Sequence, residues 1–188
     1  MPEETAWYEQ AAESSLLMQG DLIKNCPFIV PPDNMSVGSN RQVDIIQYKI
    51  IILSQSCDLE WKKIDKVLVC PFATLTEMES LYPAFGNADF KEAIKRGYQP
   101  PYLLLDKLEG DFLLIDFREV YSVPLKTLKD VARENPIRWR LKPPYREYLS
   151  QNFAKFFMRV GLPNTIPDFK KGVSIDYCGR CPVYQTSL

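Results

Sequence analysis

Between Tyr48 and Thr74 two apolar runs, Ile50 to Leu53 and Val67 to Val69, stand either side of a polar connector. Short runs of Ile, Val and Leu with charged flanks read as strands buried on at least one face. The first strand extends over Val43 to Leu53 and the second over Lys66 to Pro71. Upstream, residues 3 to 19 carry Trp7, Ala11 and Met18 at helical spacing with acidic residues early, which predicts an amphipathic helix that Gly20 ends. A strand then opens at Gly20-Asp21-Leu22-Ile23 and runs to Phe28-Ile29-Val30, with Cys26-Pro27 as an edge or a bulge. The crowd of Pro, Asn, Ser and Gly from Pro31 to Asn40 predicts a loop.

Downstream, Thr76 and Glu79 have capping-box spacing and predict a short helix from Glu77 that stops before Pro83. Ala84 to Pro101 reads as an insertion, with Asn87 or Asp89 capping a helix that closes at Gly97. Tyr102 to Leu105 and Phe112 to Asp116 flank a turn-forming cluster and predict a hairpin. Phe117 to Val123 alternates as a further strand, and Pro124 introduces a helix from Leu125 to Arg133. A basic and aromatic segment, Ile137 to Lys142, precedes a helix over Tyr145 to Val160 with an apolar stripe of Leu149, Phe153, Phe156, Phe157 and Val160. Gly161 ends that helix, and an irregular tail follows from Pro163.

Composition changes this picture in three ways. A chain of 188 residues with 46% hydrophobic side chains is large enough for one packed domain and too small for two equal ones. The formal net charge of −1 gives no global attraction for a polyanion, so nucleic acid has to be met by a local patch. There is no histidine at all. That removes Ser-His-Asp and Cys-His catalysis and every His-ligated metal centre, and leaves Arg, Lys, Tyr, Asp, Glu and Cys to carry any chemistry. No run is long and apolar enough for a membrane span, and MPEETAWYEQ lacks the pattern of a signal peptide, so a cytoplasmic setting is expected.

The candidate chemistry starts at the connector, where Ser54, Gln55, Ser56, Cys57 and Asp58 leave the first strand together. Side chains gathered where a buried strand meets solvent either cap a turn or form a site. Five cysteines are present, and Cys178 and Cys181 have the spacing of half a structural zinc site. Cys26, Cys57 or Cys70 would have to complete it, since zinc takes four such ligands. The plainer reading is free thiols and no cofactor.

A strand opening with Gly20-Asp21, an apolar strand ending in Ser54-Gln55 and a strand ending in Pro71 precede Leu113-Leu114-Ile115-Asp116-Phe117-Arg118-Glu119-Val120. A Leu-x-x-Leu helix follows. Together these resemble the MazF/PemK family of toxins. The resemblance covers residues 20–131 with the insertion at 84–101, and leaves the N-terminal segment, the basic-aromatic helix at 137–162 and the tail at 163–188 outside it. It implies an α+β protein with an SH3-like antiparallel barrel packed by terminal helices, metal-independent cleavage of single-stranded RNA, an antitoxin or other inhibitory protein partner, and a homodimer. Proteins similar to this one also occur in antiviral defence cassettes, CRISPR-linked ones among them.

The family's catalytic arginine falls on Lys49. Its threonine or serine falls on Ala73, which has no hydroxyl, with Thr74 beside it. Lysine keeps the charge without the planar two-toothed grip on phosphate. Cleavage by the 2′-hydroxyl needs a base, a cation against the phosphate and an acid for the leaving oxygen. In a rebuilt site Asp58 is the base, Lys49 or Arg41 the clamp, and Ser54, Ser56 and Tyr48 further donors. Arg118 is a second clamp, and Arg138 and Arg140 extend the RNA-binding surface. The alternative is a MazF-like binding module that has lost the cleavage pair and grips a protein through Trp7, Trp61 and Trp139.

Overall fold

A computed structural model of the chain describes residues 7–12, 16–29, 44–135 and 138–158. The strands are β1 (Tyr8–Ala11), β2 (Asp21–Ile29), β3 (Ile45–Ile52), β4 (Lys66–Thr74), β5 (Tyr102–Leu108), β6 (Asp111–Asp116), β7 (Tyr121–Pro124) and β8 (Arg138–Leu141). The helices are α1 (Ser56–Glu60), α2 (Leu75–Leu81), α3 (Ala88–Lys95), α4 (Leu125–Arg133) and α5 (Tyr145–Phe157), with a 3₁₀ turn at Pro83–Gly86. All strand pairs are antiparallel and run in the order β1-β8-β2-β3-β4-β6-β5, with β7 also on β4. The protein is thus α+β around an open antiparallel sheet.

Each face of the sheet carries its own core, as the period of two along a strand requires. On β3, Ile51 packs inward with Leu22, Cys70, Leu105, Ile115, Phe117 and Leu149 of α5. Ile50 and Ile52 point the other way, into a core that α4 closes with Leu125, Leu128 and Val131. A third cluster seats Leu75 of α2, Phe85 and Ile94 of α3 on Leu114. The insertion is therefore packed on the back of β6.

The sheet curls. The Tyr8 hydroxyl on β1, one edge, donates to the Asp106 carbonyl on β5, the other edge, at 2.7 Å. No backbone ladder joins those two strands among the described residues. The β5–β6 turn is made by Glu109 (φ 54°) and Gly110 (φ 92°), the positive pair of a two-residue hairpin. At the other end Gly20 (φ 83°) opens β2, and an added Cβ there would lie 3.0 Å from the Leu141 Cβ. Only glycine fits that approach.

Several expectations are corrected. Tyr8 to Ala11 is a strand and not part of a helix: Tyr8 and Ala11 are buried, Glu9 and Gln10 exposed, and the segment pairs with β8 from Tyr8↔Leu141 to Ala11↔Arg138. A partner far along the chain overrides the helical spacing. The capping box is Thr74 with Glu77, two residues earlier than expected, because a start at Leu75 buries that leucine against the insertion. β4 runs past Pro71 to Thr74, and the chain turns at residues 117–120, so β7 begins only at Tyr121. The expected bulge near Cys26 is present between Ile23 and Cys26, with Asn25 at φ 58°.

Asp21, Arg138 and Arg140 form a charged group in the interior, exposed by 0%, 2% and 8% respectively. Arg140 grips both Asp21 oxygens, with Nε at 2.5 Å and Nη2 at 3.0 Å, and Nη2 also donates to the Leu16 carbonyl at 2.7 Å. Arg138 Nε stands 3.0 Å from Asp21 Oδ2, which also accepts the Met18 N–H. Removing one member of a buried ion group leaves the rest uncompensated, at about 3–5 kcal/mol. Asp21→Ala should therefore shift the urea midpoint by a loss of that size; a change under about 1 kcal/mol would show that the two guanidiniums find water instead.

Candidate functional site

The site follows from a strand changing partners. β3 and β4 pair only through Ile52↔Val69, Ile51↔Cys70 and Ile50↔Pro71. Pairing stops at Pro71. Beyond it Phe72, Ala73 and Thr74 pair with Ile115, Leu114 and Leu113 of β6, while β3 continues along β2. The two strands diverge, and hollows open between them on both faces.

On the inner side is a cavity of about 150 Å³. β3 supplies Lys49, β4 supplies Phe72 and Thr74, the β5–β6 turn supplies Glu109 and Asp111, and Lys24 and Trp139 close it. Lys49 Nζ donates to both Glu77 carboxylate oxygens at 2.6 Å and sits 6.0 Å from the centre of the Phe72 ring. Glu77 in turn completes the α2 cap: the Thr74 N–H donates to its Oε2 at 2.8 Å, and its own N–H donates to Thr74 Oγ1 at 3.2 Å. Lys49 and Thr74 are thus joined through one carboxylate. Asp111 accepts the Thr76 N–H at 3.2 Å, and Lys24 pairs with Glu109 at 3.3 Å.

Partial burial pulls the Glu77 carboxyl upward. The Lys49 hydrogen bond, the Thr74 N–H and the lysine charge outweigh that and hold it below its ordinary 4.5. Asp111 is also held low: burial opposes it, but hydrogen bonds from the Thr76 side chain and backbone and from the Thr74 side chain prevail. Both carboxylates are ionised at neutral pH. The cavity therefore carries two lysines, Lys24 and Lys49, two carboxylates, Glu109 and Asp111, and the Thr74 side chain, with Glu77 beside it as the partner of Lys49, a set that can grip an anion and take a proton.

On the outer side, bounded by β3, β4, β6 and the insertion, is a groove of about 720 Å³ that contains Tyr48 and Arg118. The Arg118 guanidinium is fixed by Asp116, donates to the Tyr102 hydroxyl at 2.6 Å and lies 4.9 Å from the centre of that ring. Its bond to Asp116, ahead of the others, raises its proton affinity. Tyr48 stands near Tyr121, whose hydroxyl donates to Glu119 at 2.5 Å.

The other expected site residues are placed elsewhere. Ser54 Oγ accepts the Leu68 N–H at 2.8 Å and Ser56 Oγ accepts the Gln19 N–H at 3.1 Å, so both tie the chain to itself. Asp58 lies in α1 and its ion-pair partner is Lys63, at 3.8 Å, not Lys49. The connector is a short helix, and its acid does not face the β3–β4 cavity. Arg138 and Arg140 are interior and committed to Asp21. Of the three tryptophans, Trp7 stacks on Tyr145 at 4.0 Å, Trp139 lines the cavity and Trp61 is 71% exposed. Arg41, Cys178 and Cys181 lie outside the described residues. Cys26 and Cys70 are buried in opposite cores and Cys57 is exposed, so these three thiols do not converge. Among the described residues no three acidic or cysteine side chains are grouped for a metal ion.

Glu77, Asp111 and Lys24 were not expected here. Thr74-x-x-Glu77 has the same spacing as Thr76-x-x-Glu79, so the sequence carried a signal for Glu77 and left the choice open. No family model matches the chain, and no curated protein matches it. Among the described residues no helix is long and apolar enough to cross a membrane.

The Lys49–Glu77 pair sets a pH dependence. A carboxylate whose folded pKa lies below its unfolded value stabilises the fold above the unfolded value, and the contribution fades as pH falls through the folded one. Glu77→Gln keeps the cap and removes the charge. The gap in urea midpoint between wild type and Glu77→Gln should be constant from about pH 7 to about pH 5 and close at lower pH, below the ordinary carboxylate range. A gap that widens with acidity would refute the pairing.

Proposed function

We propose that the protein is a MazF-like toxin that cuts single-stranded RNA in the cavity between β3 and β4. One observation carries the reading. Lys49 and Thr74, on or beside the positions to which the resemblance assigns the cation and the hydroxyl, line one cavity and both bond Glu77. The curl that brings β1 to β5 supports an SH3-like barrel as the underlying fold. On this reading the chain works in the cytoplasm, without a metal, as a homodimer held in check by an antitoxin or similar protein.

The chemistry assigns Glu77 the role first expected of Asp58. Its carboxylate takes the proton of the 2′-hydroxyl, whose oxygen attacks the phosphorus. The bond from phosphorus to the 5′-oxygen breaks, and that oxygen takes a proton from solvent, leaving a 2′,3′-cyclic phosphate and a free 5′-hydroxyl. Lys49 moves from Glu77 to the non-bridging oxygens, where charge grows in the transition state. Exchange of one anion for another on the ammonium releases the base as it binds the substrate.

A second reading has its own observation. Lys49 and Lys24 at the cavity and Arg118 in the outer groove each already face a carboxylate, which leaves no excess positive charge in either hollow. That suits a silent MazF-like module that binds a protein. Incubating purified chain with a fluorophore-quencher RNA and excess chelator separates the two. Cleavage should proceed, fall by about 10²–10⁴-fold in both Lys49→Ala and Glu77→Gln, and be unchanged in Asp58→Asn. RNA left intact by the wild type, or cut equally by both cavity variants, would overturn the nuclease reading.

A further inference from the structure

The outer groove has a composition that the cavity does not need. Its wall includes Tyr48, Met78, Leu81, Tyr82, Tyr102 and Arg118. Aromatic residues, Met and Arg are the types enriched at the centres of protein–protein interfaces, where lysine is depleted. Leu81 and Tyr82, at the end of α2, are 67% and 56% exposed and form an apolar rim, even though Tyr82 meets the Phe85 ring at 6.3 Å. The wall also carries Asp116, both of whose oxygens the Arg118 guanidinium holds, and Glu119, which accepts the Tyr121 hydroxyl and gives the wall one negative charge in excess.

That charge balance selects the occupant. A nucleotide strand needs cations along its path. Here the groove's lining is net negative, and the nearby basic residues at the end of the insertion are paired: Lys91 with Glu79 of α2, and Lys95 and Arg96 both with Glu92. An acidic ligand would meet repulsion from the excess charge of Glu119, and an uncharged one would leave that charge unanswered. An apolar segment with one basic side chain satisfies both the rim and that charge.

We propose that this groove is a docking site for a polypeptide segment of a partner protein, which buries large apolar side chains between Leu81, Tyr82 and Tyr48 and places one lysine or arginine against Glu119. The inference does not rest on the nuclease reading. It assigns the insertion a purpose, since α2, the 3₁₀ turn and α3 build one wall. It also connects the two hollows: Phe72 lines both, so a segment seated in the groove presses on the ring beside which Lys49 lies.

The test uses the full chain and a display library of random dodecapeptides, followed by fluorescence polarisation with synthetic copies of the enriched sequences. Enriched peptides should carry two or more large apolar residues and a lysine or arginine. The double variant Leu81→Ala/Tyr82→Ala should weaken them at least tenfold with thermal unfolding unchanged, and Leu81→Glu should do the same by charge. Glu119→Gln should weaken a basic peptide about fivefold, and not its Lys→Leu counterpart, the size of loss expected for one exposed ion pair. Lys49→Ala should leave peptide binding intact whether or not the protein cuts RNA. No enrichment, enrichment of acidic peptides, or binding that survives the Leu81 and Tyr82 variants would overturn the proposal. So would a 2′-deoxy oligonucleotide that binds the wild type and not the double variant, which would make the groove a nucleic-acid site.

Discussion

The architecture around the cavity depends on how short the ladder between β3 and β4 is: it ends at Pro71. A strand in the middle of a sheet normally keeps both neighbours along its length. β4 has β3 on one edge only as far as Pro71 and continues to Thr74 with β6 as its partner, so the sheet divides beyond Pro71. Such a division would be costly if the diverging backbones were left bare. Thr74 and Glu77 limit the cost by starting a helix at the end of β4, and Lys49 spans the gap to that helix cap. The same three side chains that give the cavity its chemistry also brace it open.

A second constraint holds the other end of the sheet. Asp21 sits at the start of β2 with a guanidinium from either end of the Arg138-Trp139-Arg140 triplet on β8. Alternate residues of a strand share a face, so two arginines two apart can converge on one carboxylate. A buried pair of this kind adds little to stability over apolar packing of the same volume, and its use lies in what it forbids. Shifting β8 by one residue would direct Trp139 at Asp21 and strand both arginines in the wrong layer. The group therefore fixes the register of β8, and through β8 that of β1.

Much of this was legible in the sequence where the determinants are local. β2, β3, the β5–β6 hairpin, α4 and α5 follow from apolar periodicity and from turn residues such as Glu109-Gly110. The failures share a cause. Tyr8 to Ala11 has helical spacing and becomes a strand because β8 supplies its partner. Arg138 and Arg140 look like a basic surface until Asp21, far upstream, claims them. Asp58 follows a buried strand as a site residue would, yet the connector bends into α1 and takes it away. Glu77 was missed because two overlapping capping motifs compete, and only burial of Leu75 decides between them.

The pairing of Tyr8 with Leu141 has a consequence for how the protein is made. A strand whose partner lies 133 positions further along the sequence, Tyr8 against Leu141, has nothing to pair with while a ribosome is still reading the middle. β2 to β7 can assemble as they emerge, but β1 must wait, unpaired, until β8 arrives. Contacts of such long separation are the slow ones in folding, since the loop they close is large. Emergence of β8, and not of the first residues, is the event that lets the two rims of the sheet meet, so any activity that requires the curled form is withheld until residues 138–141 have left the ribosome.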